Sequence, residues 1–114
     1  MSMTDREKRL GLHLPVEVSG VDAASADFTE KTRSLNISGG GICFESQHHI
    51  LVGTRVTLKI RLPPALRPHF GGKEVYQVRA VICREENFEG EAAHRVGARF
   101  LSEAEEGSAA GKGR

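Results

Sequence analysis

Apolar residues recur at every second position through much of this chain, and the runs in which they do so are short. In Leu12-His13-Leu14-Pro15-Val16-Glu17-Val18 the alternation puts Leu12, Leu14, Val16 and Val18 on one face of a half-buried strand. Pro15 has no N–H to give to a ladder, which predicts an edge position for that strand. A polar stretch from Ser19-Gly20 to Ala26 separates it from a more polar strand over residues 28–36, which returns as a hairpin. The run Gly39-Gly40-Gly41 predicts a sharp turn, because glycine alone reaches positive φ without strain, and Ile42-Cys43-Phe44 leads out of it as a buried strand. The clearest pattern is Val56, Leu58, Ile60 and Leu62 alternating with Arg55, Thr57, Lys59 and Arg61 until Pro63-Pro64 stop it. Residues 65–72 form a loop with room for one short helical turn, and Gly71-Gly72-Lys73 reads as a hairpin turn. Tyr76, Val78, Ala80 and Ile82 are in register on a strand over residues 75–83, a polar loop follows over residues 84–93, and Val96, Ala98 and Phe100 mark the last strand.

Six short strands with turn signals between them predict an all-β fold, a small six-stranded antiparallel β-barrel with little or no helix, since closure removes the edges an open sheet would expose. Residues 1–11 hold neither strand alternation nor a sustained helical period, so they read as a flexible N-terminal arm before a barrel domain over residues 12–101. Residues 102–114 read as a short helical turn and a disordered tail. A length of 114 residues suits one domain with a modest core and leaves no room for a separate output domain. No apolar run approaches the ~20 residues of a membrane-spanning helix, and MSMTDREKRL lacks the apolar stretch of a signal peptide. The expectation is a cytoplasmic protein without membrane insertion.

Composition narrows the function by exclusion. Hydrophobic residues at 39% and charged residues at 27% are the balance of a folded globular chain. Sixteen Lys and Arg against fifteen Asp and Glu leave a net charge of +1, too little for the sequence-independent field on which nucleic-acid binding relies. Exposed aromatic platforms for single strands are also lacking, because five Phe and one Tyr are mostly accounted for by core positions. Cys43 and Cys83 lie far apart within apolar stretches, which predicts two buried reduced thiols. His13, His48, His49, His69 and His94 have no zincin spacing and no Cys-x-x-Cys beside them, so they read as solvated side chains and no metal is expected. There is no Gly-x-x-x-x-Gly-Lys-Ser/Thr loop and no dinucleotide-binding glycine pattern, and the carboxylates mostly stand beside Lys or Arg; a catalytic role is not expected.

Two local features carry chemistry. In Asn36-Ile37-Ser38-Gly39-Gly40-Gly41 two short polar side chains stand two apart, followed by backbone that a ligand can approach without a Cβ in the way. Asn and Ser together offer donors and acceptors that match the edge of a guanine. Taken alone, the same six residues read rather as a turn held by its own Asx or Ser hydrogen bonds. The second feature is Arg6-Glu7-Lys8-Arg9, whose guanidinium groups have the fork geometry that grips phosphate, although a solvated basic terminus has the same composition.

Taken together, and over roughly residues 5–101, these parts resemble the PilZ family, in which an arm with R-x-x-x-R precedes the first strand and a turn with [D/N]-x-S-x-x-G follows the second. Asn36, Ser38 and Gly41 fill the second pattern; Leu14-Pro15-Val16-Glu17-Val18 looks like the family's first strand, and Arg95-Val96-Gly97-Ala98-Arg99-Phe100 like its closing one. Counted back from Leu14, Arg9 stands at the family's second arginine, while the first falls on Asp5, with Arg6 three positions before Arg9. The resemblance implies a receptor for cyclic di-GMP with no cofactor of its own. Arg9 and Arg6 would then hold phosphate or stack on guanine, with Lys8 assisting as a point charge. Asn36 and Ser38 would meet base edges along the Gly39, Gly40, Gly41 backbone. It further implies that ligand orders the arm and so alters the surface offered to an effector protein, in processes such as motility and biofilm formation. The departure at Asp5 sustains an alternative: a degenerate PilZ-like adaptor that has lost the ligand and acts through protein contacts alone.

Overall fold

The computed structural model describes residues 10–87 and 90–102. Six strands follow one another: β1 (Pro15–Val21), β2 (Asp27–Ile37), β3 (Gly41–Ser46), β4 (Arg55–Arg61), β5 (Val75–Glu86) and β6 (His94–Phe100). All neighbours are antiparallel, and the ladder β1-β2-β3-β6-β5-β4 closes through pairing of β4 with β1. A 3₁₀ turn over Arg67–Phe70 lies between β4 and β5. It sits in the loop where a short helical turn was expected, and Gly71 and Gly72 after it take φ of 79° and 78°, conformations that only glycine adopts without strain.

The period of two explains the closure. Val16 and Val18 of β1, Val56, Leu58 and Ile60 of β4, and Val96 of β6 are all buried, while Arg55, Lys59 and Arg61 between them face water. Ile37, Ile42, Phe44, Ala80 and Ile82 complete the interior from the remaining strands. Ile50, from the loop after β3, and Leu62, just past β4, are fully buried at opposite ends of these strands.

Pro15 does not mark an edge. β1 is paired on both sides, and Pro15 is tolerated because it is the first residue of the strand, one position before the ladder with β4 begins at Val16↔Ile60. Cys83 is the second departure: Cys43 is buried as expected, but Cys83 is exposed, and both are free thiols. The register between β5 and β6 slips between Ile82 and Arg84, so Cys83 is the extra residue of a β-bulge and two successive side chains, Cys83 and Arg84, face outward. A second slip, between Ser34 and Asn36 against β3, lies just before the glycine turn.

The chain enters the barrel along β2. Leu10 and Ile37 exchange backbone hydrogen bonds, with Leu10 N–H donating to Ile37 O at 2.9 Å and Ile37 N–H to Leu10 O at 3.0 Å. Ser34, fully buried, holds the next stretch: its Oγ accepts from Leu14 N–H at 2.8 Å and donates to Leu12 O at 2.5 Å. Leu10 and Gly11, assigned by their sequence to the arm, thus belong to a bonded lead-in that runs to the end of β2.

Candidate functional site

The turn between β2 and β3 is built by its own polar groups. Ser38 N–H donates to Gly41 O at 2.9 Å, and Ser38 Oγ accepts from Gly40 N–H at 3.2 Å. The turn is also tied to the closing strand, since Phe100 N–H donates to Gly40 O at 3.0 Å. Neither Gly40 nor Gly41 needs the positive φ that the run of glycines suggested. The requirement at Gly41 is close approach: a Cβ there would stand 2.5 Å from the carbonyl oxygen of Ala98. Ser38 therefore does hold the turn, yet a hydroxyl that accepts one bond keeps its own hydrogen to donate.

Beside the turn lies an open cleft of about 890 Å³, within the ~300–1,000 Å³ usual for small-molecule sites. Residues 38–41 form one side, residues 97–100 of β6 the floor, and Cys83 and Arg84 from the β5 bulge the far wall. Among the described residues no carboxylate lines it, whereas Arg84 and Arg99 both do. Such a surface favours an anion, and the exposed glycine backbone gives a flat ligand room to lie close.

The structure thus brings Ser38, Gly39, Gly40 and Gly41 together in the cleft. Asn36 is not among its lining residues; it sits half-buried at the end of β2, paired with Cys43 and engaged in an interaction of its own. Arg6, Lys8 and Arg9 lie outside the described residues. Gly97, Arg99 and Arg84 are additions. The first two were legible, because alternation with Val96 and Ala98 turns them outward on β6. Arg84 was not, since its direction depends on the bulge.

His48, His49 and His94 gather at the opposite end of the barrel; His49 and, elsewhere, His69 are exposed as expected, whereas His94 is not. His94 and Glu85 form a close ion pair, with side chains only 17% and 14% exposed. The His49 ring stacks on His94 with centroids 5.3 Å apart, and His48 stacks on Phe28 at 4.4 Å. Asp22, in the turn between β1 and β2, has its carboxyl held below the ordinary 3.8, first by the Ala26 backbone N–H, then by that of Ala24 and by His48, against a partial desolvation. These contacts join loops; they leave the cleft alone.

The sequence profile described as the PilZ domain matches residues 4–110, nearly the whole chain. The chain belongs to the PilZ domain family. Solved PilZ structures agree with the fold. The chain is similar to the PilZ domain of CeSA from a cellulose-synthesizing bacterium, with a TM-score of 0.55 and 18% identity, covering 85% of this chain and 83% of that one. It is similar also to the PilZ domain of YcgR from Escherichia coli, solved with c-di-GMP, at a TM-score of 0.53 and 17% identity, covering 89% of this chain and 82% of that one. The Bacillus subtilis inhibitor of motility MotI/DgrA gives a TM-score of 0.59 at 21% identity over 88% of this chain, which spans only 44% of that longer protein. No curated protein matches the sequence. Among the described residues no helix is long and apolar enough to cross a membrane.

Proposed function

We propose that this PilZ domain is a cyclic di-GMP receptor that performs no chemistry on its ligand and signals through contact with an effector protein, in the cytoplasm. The supporting observation is convergence. The Asn-x-Ser-x-x-Gly turn opens on a cleft whose described lining residues include two arginines and no carboxylate, and the Leu10–Ile37 bridge brings the N-terminal lead-in to the residue next to Ser38. Arg9 is one peptide from Leu10, and successive Cα atoms are ~3.8 Å apart, so it is the arm's last residues that need to reach the turn. In this reading Arg9 and Arg6, with Lys8, hold the phosphates, Ser38 and Asn36 meet the guanine edges, and the glycine backbone admits the flat ligand. Ligand orders the arm, and the ordered arm is the new surface that an effector recognises.

Calorimetric titration of the purified protein with cyclic di-GMP tests this. Wild type binds; Arg9→Ala binds at least about tenfold more weakly, because a hydrogen bond to a charged group contributes about 1.5–3 kcal/mol, and Asn36→Ala loses less, about 0.5–1.5 kcal/mol, because both partners are neutral. Asp5, where the family motif has arginine, favours the second reading, an adaptor that acts through protein contacts alone. Absence of binding by the folded wild-type protein would decide for that adaptor.

A further inference from the structure

The bulge that exposes Cys83 also aims Arg84. In the register β5 would otherwise keep, the residue after Ile82 faces outward and the next turns into the barrel; the extra residue returns Arg84 to the outer face, opposite Gly97. There it lies across β6. A Cβ at Gly97 would stand 3.5 Å from Arg84 Cβ, 3.6 Å from its Nε and 3.8 Å from its Nη2, so the side chain packs flat over the space that glycine leaves open. A Cβ at Gly97 would meet the Arg84 side chain at ordinary van der Waals distance, so alanine fits there.

Arg84 has no hydrogen bond or ion pair among the described residues. The next outward carboxylate on its strand, Glu86, stands opposite Arg95. An exposed arginine without a partner is ordinary on a protein surface. This one lines a cleft with no carboxylate among its described residues, with the glycine turn on the other side, and it carries a planar fork of donors. The arm, meanwhile, carries Asp5 where its motif places an arginine, so the site is short of one cation on that side.

We infer that Arg84 is a ligand-binding residue of the cleft, which grips a phosphate of cyclic di-GMP from the barrel wall. The inference rests on the receptor reading above. It adds a grip from a strand of the barrel to the one assigned to the arm.

The test is calorimetry with cyclic di-GMP on wild type, Arg84→Ala, Arg84→Lys and, as a control, Lys31→Ala on β2, the strand across the barrel from β5. Arg84→Ala weakens binding about tenfold or more, with a thermal midpoint close to that of wild type because the side chain is exposed. Arg84→Lys, which keeps the charge and loses the fork, falls between the two, and the gap between wild type and Arg84→Ala narrows as salt is raised. Lys31→Ala binds as wild type does. If wild type binds and Arg84→Ala binds within twofold of it, Arg84 is a solvated side chain and the inference fails while the receptor reading stands. A folded wild type that does not bind cyclic di-GMP overturns both together.

Discussion

Gly41 offers a sharp test of how the turn is built, because its role is a matter of distance. Replacing it by alanine places a Cβ 2.5 Å from the carbonyl oxygen of Ala98 and 3.5 Å from the Cα of Arg99. Close carbon–oxygen contacts between strands settle at about 3.3 Å or more, so roughly 0.8 Å of separation has to be found. Both sides of the contact are backbone, in the pairs Gly41↔Arg99 and Ile42↔Ala98, and Ile42 beneath them is fully buried. Neither strand can swing aside as a side chain would. Overpacking of this kind costs about 1–3 kcal/mol, partly offset by about 0.4–1 kcal/mol from the stiffer unfolded chain. A net loss near 1.5 kcal/mol lowers the thermal midpoint by about 6–12 °C in a domain of this size. Gly40→Ala is the matched control, since a Cβ there meets nothing within 4 Å and its φ is not positive; it should stay within about 0.5 kcal/mol of wild type. Urea denaturation followed by circular dichroism measures both. Equal stability of the two alanine variants would show that close approach of β3 to β6 is not what reserves position 41 for glycine.

Ser34→Ala removes both side-chain bonds from Ser34 to the lead-in and leaves the Leu14 N–H buried without its partner, so it should cost about 2–3 kcal/mol in the same assay; a loss below about 0.5 kcal/mol would mean that the backbone bonds suffice to hold the lead-in. Asp22 has a folded-state pKa depressed below 3.8, so the stability it contributes is present above that value and is lost as pH falls through the lower folded one. A carbon-13 NMR titration of its carboxyl should give a midpoint below that of an unfolded peptide, and an ordinary midpoint would show that the Ala26 and Ala24 bonds do not persist in solution.

Much of the barrel was legible because alternation is a direct record of which face is wet. Val56, Leu58, Ile60 and Leu62 announce β4 without ambiguity, and the β6 pattern locates Gly97 and Arg99 on the outside as well as Val96 inside. The failures share a cause, namely information held between strands. Pro15 looks like an edge residue until closure supplies a partner on each side, and Cys83 looks buried until a slip in register turns it out. Arg84 was missed for the same reason. At Gly41 the positive φ expected of the glycine run is not found, and the close approach to Ala98 that reserves the position is invisible until β3 and β6 are side by side. His94 departs in the other direction: nothing in the spacing of His49, Glu85 and His94 reveals that one loop and two strand ends bring them together.

Closure has a consequence for how such a molecule passes on a message. Every strand is hydrogen-bonded to a neighbour on both sides, so the described barrel presents no vacant rail that a partner's strand could extend. Sliding is equally barred, because a shift of one residue along β4 would turn Val56, Leu58 and Ile60 out into water together. The interior is in effect mute. Whatever this protein tells another has to be written on its skin, in outward side chains and connecting loops, where the text can be rewritten by mutation with little risk to the page beneath it.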